Sequence, residues 1–149
     1  MRDAGPTDEE IAARLAAQPE ERWQELFARA GALTAADLEV GWGVGQEISP
    51  GVTQMPYPVY SEAVTRITGL LGELGVVVAF AWPGWHRAAA ISPDGRELRD
   101  LPVADAARLA TTIIRGERFS EGTIGAALRG GALQAILDRL RRWHDHERP

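Results

Sequence analysis

Between Thr111 and Trp143, TTIIRGERFSEGTIGAALRGGALQAILDRLRRW, apolar residues return every three or four positions. Helices packed on a shared face satisfy that period; strands do not. Leu133, Ile136, Leu137, Leu140 and His144 stand at i, i+3, i+4, i+7 and i+11, with Trp143 beside them, and form one stripe. Asp138 precedes Arg141 and Arg142 by three and four residues, on the solvent side of that helix. Ile124, Ala127 and Leu128 make a shorter stripe upstream, and Ala106, Leu109, Ala110 and Ile113 repeat before it. Gly130-Gly131 separates the last two helices. Ser120 is predicted to cap the middle helix, with Glu121 in its first turn, where the dipole favours negative charge. Gly116 is predicted to stop the preceding helix, with Arg115 at its carbonyl end.

The turn so defined gathers Arg115, Glu117, Arg118 and Glu121 between apolar faces. Two arginines beside a helix N-terminus suit a phosphate or carboxylate, because guanidinium forks and free N–H groups both favour anions. Two acids among two bases better suit a self-contained network that fixes the turn. The four residues are therefore a candidate ligand site with a structural alternative.

The same stretch carries a resemblance. R-G-E-R-F-S-E-G, followed by an apolar helix, a glycine break and A-I-L-D-R-L, resembles the C-terminal signature of a group of small bacterial proteins of unknown function. Pro56-Tyr57-Pro58-Val59-Tyr60-Ser61 with its following helix, and the turn Trp82-Pro83-Gly84-Trp85, are similar to the same group. The resemblance covers roughly the last two thirds of the chain. It implies no activity.

A chain of 149 residues is expected to form one domain, 1–149, and to bury about 70% of its unfolded surface, enough for a core without staples. With no cysteine, disulfides and thiolate metal sites are excluded and nothing calls for an oxidising compartment. MRDAGPTDEE lacks the apolar core of a signal peptide, and no run of about 18 apolar residues is present, so a cytoplasmic location without membrane attachment is expected. The net charge of −5 argues against general nucleic-acid binding. All 16 basic residues are arginine, which coding bias explains better than selection for anion contacts.

Residues 1–6 are predicted to be a loose N-terminus. Thr7-Asp8-Glu9-Glu10 fits a capping box, followed by Ile11, Ala12 and Leu15. Pro19 is placed to open a second helix that buries Trp23, Leu26, Phe27 and Ala30 and ends at Gly31; Thr34 opens a further short turn. Residues 41–58, with four glycines and three prolines, predict a long irregular loop in which a short extended piece has room. Gly41-Trp42-Gly43-Val44-Gly45 has neither the spacing nor the strand–helix setting of a phosphate loop. Ser61 is predicted to cap a helix burying Val64, Ile67, Leu71 and Leu74, with Glu62 paired to Arg66 and Gly75 at its end. Val76–Trp82 reads as a short buried strand or an apolar extended segment, and Ala88–Leu98 as a β-hairpin around Ser92-Pro93-Asp94-Gly95.

Two further constellations bear on chemistry. Trp82, Trp85 and His86 flank a turn and are candidate pocket residues, His86 as an acid–base group, with core and rim packing the favoured alternative. His144-Asp145-His146 resembles a metal pair without a third ligand, so a frayed, solvated helix end is expected there and no metal. No nucleophile elbow is present, no residue is assigned a catalytic role, and no cofactor is expected.

These readings predict a mainly α fold, a single helical domain of about six helices with a small β-hairpin element, against an α+β alternative. The expected function is a small non-catalytic binding or protein-interaction module, with a protein partner or a homo-oligomer as its assembly. The competing expectation is an enzyme or ligand-binding protein for an anionic metabolite or nucleotide. Its pocket would lie between the 41–58 loop, the Trp82–His86 turn and the Arg115–Glu121 turn.

Overall fold

The computed structural model describes residues 5–149. The expected loose end therefore falls partly outside the described residues; Pro6, within them, gives its carbonyl to Arg108.

Seven α-helices are present among the described residues: α1 (Asp8–Ala16), α2 (Glu20–Gly31), α3 (Ala35–Leu38), α4 (Glu62–Glu73), α5 (Val103–Gly116), α6 (Thr123–Gly130) and α7 (Ala132–Arg142). The fold is mainly α with a small β element, as the helical periods predict. Helix α5 is central and packs on α1, α6 and α7, while α2 bridges α4 and α7. One hydrophobic cluster joins Ile11 and Leu15 of α1, Trp23 and Leu26 of α2, Ile67 and Leu71 of α4, Leu109 of α5, Leu128 of α6 and Ile136 of α7. The apolar stripe of the last helix is core: Leu133, Ile136, Leu137 and Leu140 are all buried. Thr7 forms the expected capping box with Glu10, and Ser61 accepts the Val64 amide at 3.2 Å.

The β element lies elsewhere than expected. Residues 88–98 form no hairpin. The Ser92–Gly95 turn exists, closed by Gly95 donating to the Ser92 carbonyl at 2.8 Å, but its flanks coil into 3-10 helices, His86–Ala90 and Arg96–Asp100. The Ser92 amide and hydroxyl are held by the Glu97 carboxylate at 2.8 and 2.5 Å, which folds the second flank back on the turn. Nor is Val76–Trp82 a strand. The Val76 amide completes the end of α4 by bonding to Leu71, and the Val78 amide donates to the buried Thr111 hydroxyl at 2.9 Å. With those donors engaged by a helix end and a side chain, the β-branched run lies along α5 without a strand partner.

Residues expected to be irregular instead form a twisted ribbon. Strand β1 (Gly41–Gly43) pairs antiparallel with β4 (Tyr57–Val59), and β2 (Glu47–Ser49) with β3 (Val52–Thr53). The two pairs are nested, linked by the Gln54 amide donating to Gln46 at 2.8 Å, so Gly41–Val59 is one long hairpin whose tip turns at Pro50-Gly51. Its glycines are explained by close approach. The Tyr57 ring covers Gly43 so closely that a Cβ there would collide with it, and a Cβ on Gly45 would collide with the Gln54 carbonyl oxygen.

The surface ion pairs also differ. Arg66 turns from Glu62 to Glu25 on α2, at 2.8 Å and 2.9 Å, and to Glu73, so it ties α4 to α2.

Candidate functional site

Helix α6 begins at Thr123, and the residue before it, Gly122, takes a left-handed conformation at φ 96°. Ser120 is not its cap. The Thr123 amide bonds to the Ser120 carbonyl, and the amides of Gly122, Ile124 and Gly125 are taken by side chains from other elements. Glu117 accepts the Gly122 amide at 3.0 Å and the Ile124 amide at 2.8 Å. The Tyr60 hydroxyl accepts the Gly125 amide at 3.2 Å and donates to Glu117 at 2.9 Å. Burial, and then the facing carboxylate, push the Tyr60 phenol up to about 12, so it stays a donor at neutral pH. Gly125 is required there, since a Cβ would lie 2.9 Å from Val40.

Glu117 is thus the one member of the charged turn engaged by neighbours. Arg115, Arg118 and Glu121 are exposed, and none forms an ion pair among the described residues. The self-satisfying network drawn from the sequence does not form, because the cap claims Glu117. Phe119, 78% exposed, lies against Trp82 at 5.9 Å between ring centres. Trp42, at the base of the ribbon, lies against Gly122. The structure therefore brings together the ribbon base, the Trp82 turn and the Arg115–Glu121 turn.

Trp85 and His86 belong to a different place. Trp85 packs edge-on against Phe80, and with His86 it lines an open cleft of about 460 Å³ shared by Asp8, Arg87, Asp105 and Arg108. Asp105 is buried and receives both Arg87 and Arg108, the latter at 2.8 Å, while Arg108 also reaches Asp8 at 2.7 Å. Two cations thus face two carboxylates, and the cleft is internally compensated. The Asp105–Arg108 spacing of three was visible on the helix; Arg87 and Asp8 come from elsewhere in the chain, and no local signal links them. Arg139 is a second buried ion that sequence reasoning missed; it forms a bidentate pair with Glu147 and donates to the Leu101 carbonyl.

His144, read beside Asp145 and His146 as an incomplete metal pair, has both ring nitrogens against carboxylates, Asp145 and Glu20, each at 2.9 Å. Its ring packs on Phe27 and Trp23. It fastens the C-terminal turn to the start of α2.

The largest unassigned feature is the ribbon. Trp42, Val44, Ile48, Val52, Met55, Tyr57 and Val59 are all exposed, between 41% and 84%, and Phe119 alone joins them among the exposed large hydrophobics of the described residues. Across Gly41–Val59 the single charged residue is Glu47. A monomer rarely shows contiguous apolar patches above a few hundred Å². The signal in the sequence was the scarcity of charge between Gly41 and Val59, which glycine and proline content obscured.

No helix among the described residues is long and apolar enough to cross a membrane. Residues 18–146 match the model of a family of unknown function, DUF6508. The match begins well upstream of the last two thirds of the chain on which the resemblance rested. No curated protein and no solved structure matches the chain.

Proposed function

The chain belongs to DUF6508, a family of unknown function, and we propose that it is a non-catalytic protein-interaction module of the cytoplasm whose docking element is the Gly41–Val59 ribbon. One observation carries the reading: among the described residues, every exposed large hydrophobic side chain except Phe119 is on that ribbon, which holds one charge. The helical body supplies a rigid base, because Trp42 rests on Gly122 and the Tyr60–Glu117 cap fixes the strand exit to α6. The cysteine-free composition suits a reducing compartment.

An anion-binding role at Arg115 and Arg118 is the second reading. It draws on the absence of an acid partner for either guanidinium among the described residues.

Co-purification from the native host with tagged wild type and with a Val44→Glu/Ile48→Glu double variant tests the docking reading. Both substitutions fall on exposed side chains and leave the core intact. A protein retained by the wild type and lost by the variant, whether another copy or a different chain, is the expected result. Equal retention by both would contradict it. Thermal stabilisation by phosphate or a nucleotide, abolished by Arg118→Ala, would transfer the function to the charged turn.

A further inference from the structure

The 3-10 helix Arg96–Asp100 packs on α7, and a cavity of about 440 Å³ opens between them. Small-molecule sites span roughly 300–1,000 Å³. The walls are tied at both ends of the 3-10 helix. At one end Gly95 approaches α7 so closely that a Cβ there would lie 2.8 Å from the Ala135 side chain. At the other, Arg142 donates to the Arg99 carbonyl at 2.6 Å, and the buried Arg139 donates to the Leu101 carbonyl at 3.0 Å.

Two charged groups in this cavity are left unpaired. Arg141 and Arg142 follow Asp138 by three and four residues, the spacing at which helical ion pairs form. Asp138 pairs with neither. Arg141 turns to Asp145 at 3.5 Å and lies over the Phe27 ring, and Arg142 turns to Glu147 at 3.3 Å. On the opposite wall, the Arg99 guanidinium has no ion-pair partner among the described residues. Asp138 and Arg99 line the same cavity but stand too far apart to pair with each other. The other charges are engaged: Arg139 by a bidentate pair with Glu147, and Arg96, more loosely, by Asp94 and Glu97 at 3.7 and 3.6 Å.

We infer that this cavity binds a free amino acid as its zwitterion, the ammonium at Asp138 and the carboxylate at Arg99. A simple anion would answer Arg99 and be repelled by Asp138, and a simple cation would meet the reverse. A molecule carrying both charges compensates both walls at once. The planar fork of Arg99 suits a carboxylate. Arg142 spends Nε and Nη2 on Glu147 and the Arg99 carbonyl, which leaves Nη1 on the same side for a further bond. The site is separate from the ribbon and from the Arg115–Glu121 turn, and it depends on neither.

Isothermal titration of the purified full chain at low ionic strength is the test. The probes are leucine, glutamate and γ-aminobutyrate, the last having its charges further apart, with propionate and propylamine as single-charge controls. Arg99→Gln and Asp138→Asn each remove one charge from an exposed side chain, and circular dichroism verifies that both variants fold. The expected result is binding of at least one amino acid, no heat from either control, and a dissociation constant at least about tenfold weaker in each variant. Arg118→Ala and the Val44→Glu/Ile48→Glu variant should bind as the wild type does. Absence of binding by all three amino acids at concentrations up to about 10 mM overturns the inference. So does propionate or propylamine binding as tightly as the amino acid, or affinity indifferent to both cavity substitutions. Loss of binding in Arg118→Ala alone would also overturn it and place the ligand at the charged turn.

Discussion

The Tyr60 hydroxyl donates a 2.9 Å hydrogen bond to Glu117 and accepts one from the Gly125 amide at 3.2 Å. A residue just past the ribbon thereby caps a helix in the C-terminal half. Tyr60→Phe leaves one amide and one carboxylate oxygen without this partner in a half-buried place. The expected loss is about 1–2 kcal/mol in equilibrium urea unfolding. A loss under about 0.5 kcal/mol would show that water replaces the phenol at no cost.

Arg118→Ala is expected to change stability by less than about 0.5 kcal/mol, because the side chain is exposed and forms no ion pair among the described residues. The charged turn, read from the sequence as a possible mutual network, would have made this substitution destabilising. Urea unfolding without ligand distinguishes the two; a loss above about 1 kcal/mol would restore the network.

The contrast shows what the sequence could and could not convey. Local periods and caps act within a few residues, so the stripe at Leu133–Leu140, the Thr7 box and the Ser61 cap were legible. The cap on α6 was not, since Ser120 had the right chemistry and the nearer position, whereas Glu117 and Tyr60 win by tertiary placement. The β-branched run at Val76–Val78 had strand propensity but no neighbour to pair with, and Thr111 took its amide. The ribbon was hidden for the opposite reason. Gly43 and Gly45 read as loop residues, although they are what lets Tyr57 and Gln54 approach so closely. Of the candidate site residues, Trp82 meets the Arg115–Glu121 turn through Phe119, while Trp85 and His86 line another cleft.

Leu137→Ala should cost about 2–5 kcal/mol, the range for deleting a buried aliphatic side chain. Leu137 is 4% exposed on α7. Chemical unfolding of the variant measures it, and a cost under about 1 kcal/mol would mean that the stripe collapses around the gap.

Acid should weaken the fold through particular carboxylates. Hydrogen bonds from Gln24, then His144 and Arg148, hold Glu20 down to about 2; Arg66, with Arg29, does the same for Glu25, and Ser92 for Glu97. A carboxylate depressed on folding stabilises the native state above its unfolded pKa, and that contribution is lost as pH falls toward the folded value. Melting temperature should therefore hold steady near neutrality and drop between about pH 4.5 and pH 2. Glu25→Gln should make the drop shallower. An unchanged acid limb in that variant would remove the Arg66–Glu25 tie from the explanation.

Site-specific photo-crosslinking in living cells tests the central claim most directly. A benzophenone amino acid replaces Ile48 on the ribbon in one strain and Glu21, exposed on α2, in another. If the ribbon is the docking element, illumination yields discrete protein adducts from position 48 and none from position 21. Adducts at the mass of twice the chain identify a second copy, and other masses identify a different partner. Absence of adducts at position 48, or the same adducts from both positions, would contradict the account.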